Sequence, residues 1–228
     1  MPSELLMEID SLKRAELVRR LNRFVLEVKI NDRVVKAHLR DSGRLTELMN
    51  RGNVVLVREK IRKKTQYEVF AIYDGSTPVI VNSSIHSAIG ARILEMEGYK
   101  ILKKEVKVGN SRIDLLAEKD GEEILVEIKG CTLVKNKTAL FPDAPTERGV
   151  RHVKKITETH GLLLFLVMRG DAEKMMPNIR THPEFASALS NALKKGVDVK
   201  VALLNPVIWE NSLFVEIKGF IPVFLPDL

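Results

Sequence analysis

Residues 111–130 read SRIDLLAEKDGEEILVEIKG, two alternating runs around Asp120-Gly121. Asp-Gly is the dipeptide of a two-residue hairpin turn, because both positions need a positive φ that these residues tolerate. Such a turn pairs Lys119 with Glu122. Counting outward sets Leu116 opposite Leu125, Asp114 opposite Glu127 and Arg112 opposite Lys129. The other face carries Ile113, Leu115, Ala117, Ile124, Val126 and Ile128 without a polar member, which makes it the buried face.

Asp114 and Glu127 are thereby expected side by side. Opposed residues hold their Cβ atoms about 4.5–5.5 Å apart, and two negative charges at that distance repel by roughly 3 kcal/mol at an effective dielectric of about 20. A sheet selected only for stability pairs opposite charges. A hard divalent cation reverses the argument: Mg²⁺ or Mn²⁺ takes carboxylate oxygens and completes its shell with water and phosphate. The backbone carbonyl of Ile128 can add a ligand. Lys129 shares the face of Glu127, because side chains alternate along a strand. There it can orient or deprotonate a water, or stabilise charge on phosphorus. The alternative is a solvated face on which Lys129 bridges Asp114 diagonally. Leu116 and Leu125 make this face partly apolar, and therefore partly covered.

Working outward, residues 24–30, 34–39, 53–58, 66–72 and 77–81 read as short strands, with one helical turn over 44–49. Closely spaced strands of this kind predict a small barrel or sandwich; five strands and one short helix suit an OB-like barrel, with an SH3-like barrel as the competitor. At residue 82 the period changes. Ser83 or Ser84 can cap a helix with apolar positions Ile85, Ala88, Ile89, Ile93 and Met96, stopped by Gly98. Strands over 99–108, 111–118 and 123–133 follow, then a helix over 146–159 and a wholly apolar strand over 162–168. A helix over 183–195, capped by Thr181 and ended by Gly196, precedes strands over 198–204 and 212–218. The order αβββαβ predicts an α/β (α+β) sandwich with a mixed central sheet. The expected domains are 1–82 and 83–228. VEIKG recurs at 215–219, but Asn205-Pro206 interrupts the stretch before it, and this copy reads as an ordinary strand.

The chain has 228 residues, 45% of them hydrophobic, and a net charge of +7. Residues 1–80 hold 16 Lys and Arg against 11 Asp and Glu, so +5 of that charge lies in the N-terminal third. Such an excess points to polyanionic partners or solubility. The single Cys131 excludes an intramolecular disulfide, no cluster has zinc spacing, and a reducing cytoplasm is the expected location. The acidic MPSELLMEID start is unlike a signal peptide, and no apolar run approaches membrane-spanning length.

Asp114 followed by Glu127-Ile128-Lys129, within αβββαβ, resembles the PD-(D/E)XK nuclease motif. NRF (22–24), AHLRDSGRLTEL (37–48), GNSRID (109–114), VEIKGCTLV (126–134) and FPDAPTERGVRH (141–152) are together similar to the sugar fermentation stimulation protein A family. That resemblance implies an N-terminal OB-like domain, a PD-(D/E)XK nuclease-like domain, DNA binding, and a role in regulating sugar-utilisation genes. The chain departs from the family pattern at Asp41-Ser42, where Asn-Thr is more usual, and at Gly130-Cys131, where Ser-Val is. Neither change touches an expected ligand.

The nuclease resemblance also implies a further acidic metal ligand on the first helix, at Glu95, unless that residue is an exposed charge. Arg112 is expected either at a phosphate or in an ion pair with Glu105 or Glu127. Asp143 and Thr146 can cap the helix that carries Arg148 and His152 on one face. His152 is then a plain helix histidine or a general acid. Arg19, Arg20, Arg23, Arg40 and Arg44 form a candidate basic track for nucleic acid, with Arg62, Lys63 and Lys64 as a separate cluster. Aromatic residues make up only 5% of the chain, which favours duplex backbone contacts over base stacking. The expected partner is DNA, double-stranded and bound largely without sequence preference, with no membrane and with a possible homodimer. Three functions compete: a metal-dependent DNA phosphodiesterase, a non-catalytic DNA-binding regulator on a nuclease fold, and a hydrolase of RNA or nucleotides.

Overall fold

The computed structural model describes residues 4–60 and 64–225. It begins with β1 (Glu4–Ile9), β2 (Leu12–Asn22), β3 (Val25–Ile30) and β4 (Arg33–His38), then a 3-10 turn at Thr46–Leu48. β5 (Val54–Glu59), β6 (Tyr67–Asp74) and β7 (Thr77–Ile80) lead through a second 3-10 turn, Ser83–Ile85, into α1 (His86–Met96). β8 (Lys100–Val108), β9 (Ser111–Lys119) and β10 (Glu122–Cys131) form a meander; β11 (Val134–Lys135) and β12 (Thr138–Phe141) precede α2 (Glu147–Glu158). The chain continues through β13 (Leu162–Val167), β14 (Lys174–Pro177), α3 (Pro183–Lys194), β15 (Asp198–Trp209) and β16 (Ser212–Phe220).

Two compact units result. One contains the chain up to Ser84 with Met168–Asp171 and Leu204–Lys218. The other contains Ile85–Val167, Ala172–Leu203 and the chain from Gly219 onward.

In the first unit the order β4-β3-β2-β5-β6 closes on itself through a parallel β4–β6 pairing at Ala37↔Tyr67 and His38↔Glu68. This is a five-stranded OB-like barrel. β2 makes closure possible: its first half pairs with β5 and its second with β3, with irregularities at Leu17/Arg19 and Arg20/Asn22. Bulges of this kind bend a strand and raise its twist. Leu17, Leu26, Val28, Val55, Val57, Val69 and Ile72 fill the interior. β1 and the first half of β2 were not expected. Of their seven apolar residues, Ile9, Leu12, Ala15 and Leu17 are buried, whereas Leu5 is exposed and Leu6 and Met7 are half-buried. β1 pairs antiparallel with β16. Contrary to the expectation that Asn205-Pro206 interrupts this stretch, β15 runs through Pro206, because pairing with β13 ends at Val167↔Leu203 and the missing N–H interrupts no ladder on that side.

In the second unit β15, β13 and β10 run parallel and β10, β9 and β8 antiparallel, giving the mixed sheet expected from the αβββαβ order. All six residues of β13, LLLFLV, are fully buried, as a central strand covered on both faces requires. Leu163 and Phe165 share one core with Val153 and Ile156 of α2 and with Phe185 and Leu189 of α3. Phe141 packs edge-on against Phe165 and Phe185, at 5.5 and 5.0 Å between centroids.

The expected cap on α2 is present: Thr146 Oγ1 accepts from Gly149 N at 3.0 Å. The other two expected caps are replaced. Asn82 Oδ1 accepts from Ser84 N at 3.1 Å ahead of α1, and α3 starts at His182 with Pro183 preset for the first turn. Among the described residues, no helix is long and apolar enough to cross a membrane.

α1 reaches the sheet through Gly90, where a Cβ would lie 2.5 Å from Ile128 Cδ1 and 3.4 Å from Leu164 Cδ2. Gly90→Val should therefore overpack this contact and lower stability by about 1–3 kcal/mol in urea unfolding. An unchanged midpoint would show that α1 does not seat on β10 in this way.

Candidate metal-ion and phosphodiester site

The hairpin forms as its Asp-Gly dipeptide dictates, with φ of 54° at Asp120 and 83° at Gly121. Its ladder runs from Lys119↔Glu122 through Leu116↔Leu125 to Leu115↔Val126 and stops there. The expected direct pairs, Asp114 with Glu127 and Arg112 with Lys129, are absent from it. From Val126 onward β10 pairs parallel with β13, while β9 stays with β8. Asp114 spans the opening: its Oδ2 accepts the backbone N–H of Ile128 at 2.7 Å. A strand residue sends its N–H and C=O to the same side, so the Ile128 carbonyl lies on this edge too.

The two carboxylates differ in environment. Glu127 is 3% exposed and receives two short hydrogen bonds on Oε1, from Lys129 Nζ and from His152 Nδ1, both at 2.5 Å. Lys129 thus bonds Glu127, not Asp114 diagonally. Burial raises the Glu127 pKa, but the hydrogen bond from His152 and the charge of Lys129 outweigh it and hold the group below the usual carboxylate range. Asp114 moves the other way, to about 6, because burial and the charge of Glu127 outweigh the hydrogen bond from Ile128. Glu127 is the permanent anion, and Asp114 is the one that takes a proton.

His152 is 4% exposed and more than a plain helix histidine. Arg148 Nε donates to its Nε2 at 3.3 Å, which makes Nδ1 the hydrogen-bearing nitrogen that faces Glu127. The helical i, i+4 spacing of Arg148 and His152 was visible in sequence; their target was not. A second histidine had no sequence signal. His86 lies against Gly130, where a Cβ would sit 2.2 Å from its Cε1, so only glycine fits after Lys129. Among the described residues, the buried Nε2 of His86 has no hydrogen-bond partner, and burial lowers the pKa of His86 to about 4.

Among the described residues, the buried Glu127 Oε2 also has no hydrogen-bond partner. That orphan oxygen beside Asp114 fits a hard cation. Among the described residues no group of three or more His, Cys, Asp or Glu is arranged to hold a metal, so such an ion would rest on two carboxylates, the Ile128 carbonyl and solvent or phosphate oxygens. Glu95 is not brought to this cluster. It is half exposed and 3.9 Å from Arg92, because the buried face of α1 is formed by Ile89, Gly90, Ile93 and Leu94. Arg112 is exposed and paired with Glu105 at 3.6 Å.

The candidate basic track is largely committed elsewhere. Arg20 donates to the carbonyls of Asn22, Arg23, Gly43 and Arg44, and Arg23 to that of Ser42. Both act as loop clamps. Arg19 binds Glu27 at 2.6 Å and Arg40 binds Glu68 at 3.1 Å, while Arg44 is exposed. Of the second basic cluster, Arg62 and Lys63 lie outside the described residues.

Residues 79–206 match the family described as the sugar fermentation stimulation protein RE domain, and residues 18–81 match the SfsA N-terminal OB domain. A sugar fermentation stimulation protein homolog of Saccharolobus solfataricus is 40% identical over 84% of this chain and 79% of its own length. One from Methanothermobacter thermautotrophicus is 42% identical over 85% of this chain and 86% of its own. The structure of Pyrococcus furiosus SfsA in complex with Ca²⁺ is similar at a TM-score of 0.89 and 30% identity, covering 97% of this chain and 99% of that one.

The raised pKa of Asp114 sets a sign for stability. A carboxyl whose folded pKa exceeds its unfolded value near 3.9 stabilises fully below pH 3.9, and that contribution is lost as pH rises through about 6. Asp114→Asn keeps an oxygen for the Ile128 N–H and removes the charge. In EDTA it should raise stability by roughly 1–3 kcal/mol at pH 8 and by little at pH 4, measured by denaturant unfolding. An equal gain at both pH values would mean that charge repulsion is not the cause.

Proposed function

The chain belongs to the sugar fermentation stimulation protein family, and from that premise we propose that it is a divalent-metal-dependent DNA phosphodiesterase centred on Asp114, Glu127 and Lys129. The observation that carries this reading is the orphaned, buried Glu127 Oε2 beside a second carboxylate. A platform that only bound phosphate would gain nothing from either negative charge. The Ca²⁺ in the Pyrococcus furiosus relative supports an oxygen-ligand cation in this family, and Mg²⁺ and Mn²⁺ share that ligand preference.

Asp114, Glu127 and the Ile128 carbonyl would hold the ion. Bound there, it would polarise a phosphate oxygen and lower the pKa of a bound water. His152 fixes Glu127 Oε1, so the ionised carboxylate keeps one orientation, in which Oε2 would be the oxygen available to the ion. Lys129 neutralises part of the charge on Glu127, and with a phosphodiester bound at the ion it would orient water or stabilise charge developing on phosphorus. In this reading residues 83–228 are the nuclease-like domain and 1–82 the OB-like domain that retains double-stranded DNA through its backbone, largely without sequence preference. The setting is cytoplasmic.

Plasmid and linear duplex DNA incubated with Mg²⁺, Mn²⁺ or EDTA should be cut only with metal. Asp114→Ala should lower the rate at least about a hundredfold while binding survives. His152→Ala should cost about 10- to 100-fold, as second-shell changes do. Binding without cleavage in every metal would instead assign the chain as a DNA-binding regulator of sugar-utilisation genes.

A further inference from the structure

The barrel unit carries a cavity of about 490 Å³ lined by Phe24, His38, Arg40, Ser42, Ser83 and Ser84. The size suits a small ligand. Phe24 is an exposed aromatic, with 44% of its surface accessible and the Arg23 guanidinium 5.5 Å from its ring centroid. The backbone beneath is fixed. The Phe24 carbonyl accepts from Leu39 N at 2.9 Å and from His38 Nδ1 at 3.1 Å. A carbonyl can only accept, so His38 carries its hydrogen on Nδ1 and is left with an acceptor at Nε2.

Arg40 supplies the charge. Its Nε binds Glu68, which is 2% exposed and also bound by Lys60 at 3.0 Å. Two cations against one carboxylate leave an excess positive charge beside the cavity. Ser83 bonds the Arg40 carbonyl through both its backbone N and its hydroxyl, holding the far wall in place. The cavity therefore offers a flat apolar surface, a guanidinium that shares its carboxylate with Lys60, a ring-nitrogen acceptor and serine hydroxyl oxygens.

A nucleotide combines the features that match: a planar base, donors and acceptors on its edge, and an anionic phosphate. A neutral sugar would leave the charge of Arg40 unused, and a bare phosphate would leave Phe24 uncovered. Inside a duplex both faces of a base are already stacked, so only an unpaired one can reach an aromatic ring. We propose that this cavity holds one unpaired nucleotide of a DNA strand, its base on Phe24 and its phosphate at Arg40. The proposal rests on the reading of the chain as a DNA-processing protein and gives its substrate class: duplexes that carry an unpaired nucleotide, at an overhang or an extrahelical position.

Fluorescence anisotropy of the full chain in EDTA tests this with a blunt duplex, the same duplex bearing a short overhang, and free dAMP as competitor. Wild type should bind the overhang duplex more tightly than the blunt one. Phe24→Leu should weaken binding of the overhang duplex about tenfold and leave the blunt duplex unaffected; Phe24→Tyr, which restores a ring, should recover the loss. Equal affinity of wild type for both duplexes, or no effect of Phe24→Leu, would overturn the proposal. So would dAMP competing as strongly as the overhang strand, which would reassign the cavity to a free nucleotide. The same wild-type sample supplied with Mn²⁺ reports separately on cleavage: none there, with the overhang preference intact, contradicts the phosphodiesterase reading and supports this one.

Discussion

A carboxylate that is 3% exposed must find positive charge or hydrogen-bond donors, because an isolated buried anion costs several kcal/mol. Glu127 meets that demand on one oxygen only. His152 and Lys129 both converge on Oε1, and Oε2 is left buried and bare. Much of the second unit can be read as the means of producing this half-satisfied group. Thr146 starts α2 at the position that brings His152 over β10, and Arg148, one turn earlier, sets which nitrogen of His152 carries the hydrogen. Gly90 lets α1 approach Ile128, and Gly130 makes room for His86. A fold selected only for stability would not leave Oε2 unserved and Asp114 beside it with a pKa pushed to about 6. Perturbed carboxylates cluster where chemistry is done.

The barrel spends its arginines differently from the way a basic stripe in sequence implies. Arg20 saturates four backbone carbonyls around the loop after β4, and Arg23 takes a fifth. These bonds hold the loop that carries Ser42 and precedes Leu45, a residue with a φ of 50°. Arg20 and Arg23 are therefore structural, and the aromatic Phe24 with Arg40 is the more specific chemical feature.

Much of this was legible in the chain. Asp120-Gly121 fixed the hairpin, the apolar alternation fixed its faces, and LLLFLV announced a central strand. A small barrel was one reading of the strand spacing, although β1 and the start of β2 were hidden: neither ELLMEI nor LKRAEL alternates strictly between apolar and charged residues. The site was legible as a set of residues but not as a geometry. Register counting carried Asp114 and Glu127 into a direct pair, yet the ladder opens one step earlier. A side chain can replace a backbone partner, and a strand can change neighbours, and neither choice is written in an alternating pattern. Glu95 is turned away from the cluster for a related reason, since helix phase is set by packing against the sheet, whereas Arg112 takes the expected ion pair with Glu105. The role of His152 depends on contacts distant in sequence and could not be counted from spacing.

The central claim is that Asp114 and Glu127 share a divalent cation. Crystals grown with Mn²⁺ and measured at the manganese absorption edge test it most directly. The account predicts an anomalous peak bonded to Glu127 Oε2 and an Asp114 oxygen, absent from crystals of Asp114→Asn grown the same way. No peak at these oxygens at saturating Mn²⁺, or a peak bonded only to other residues, would contradict it.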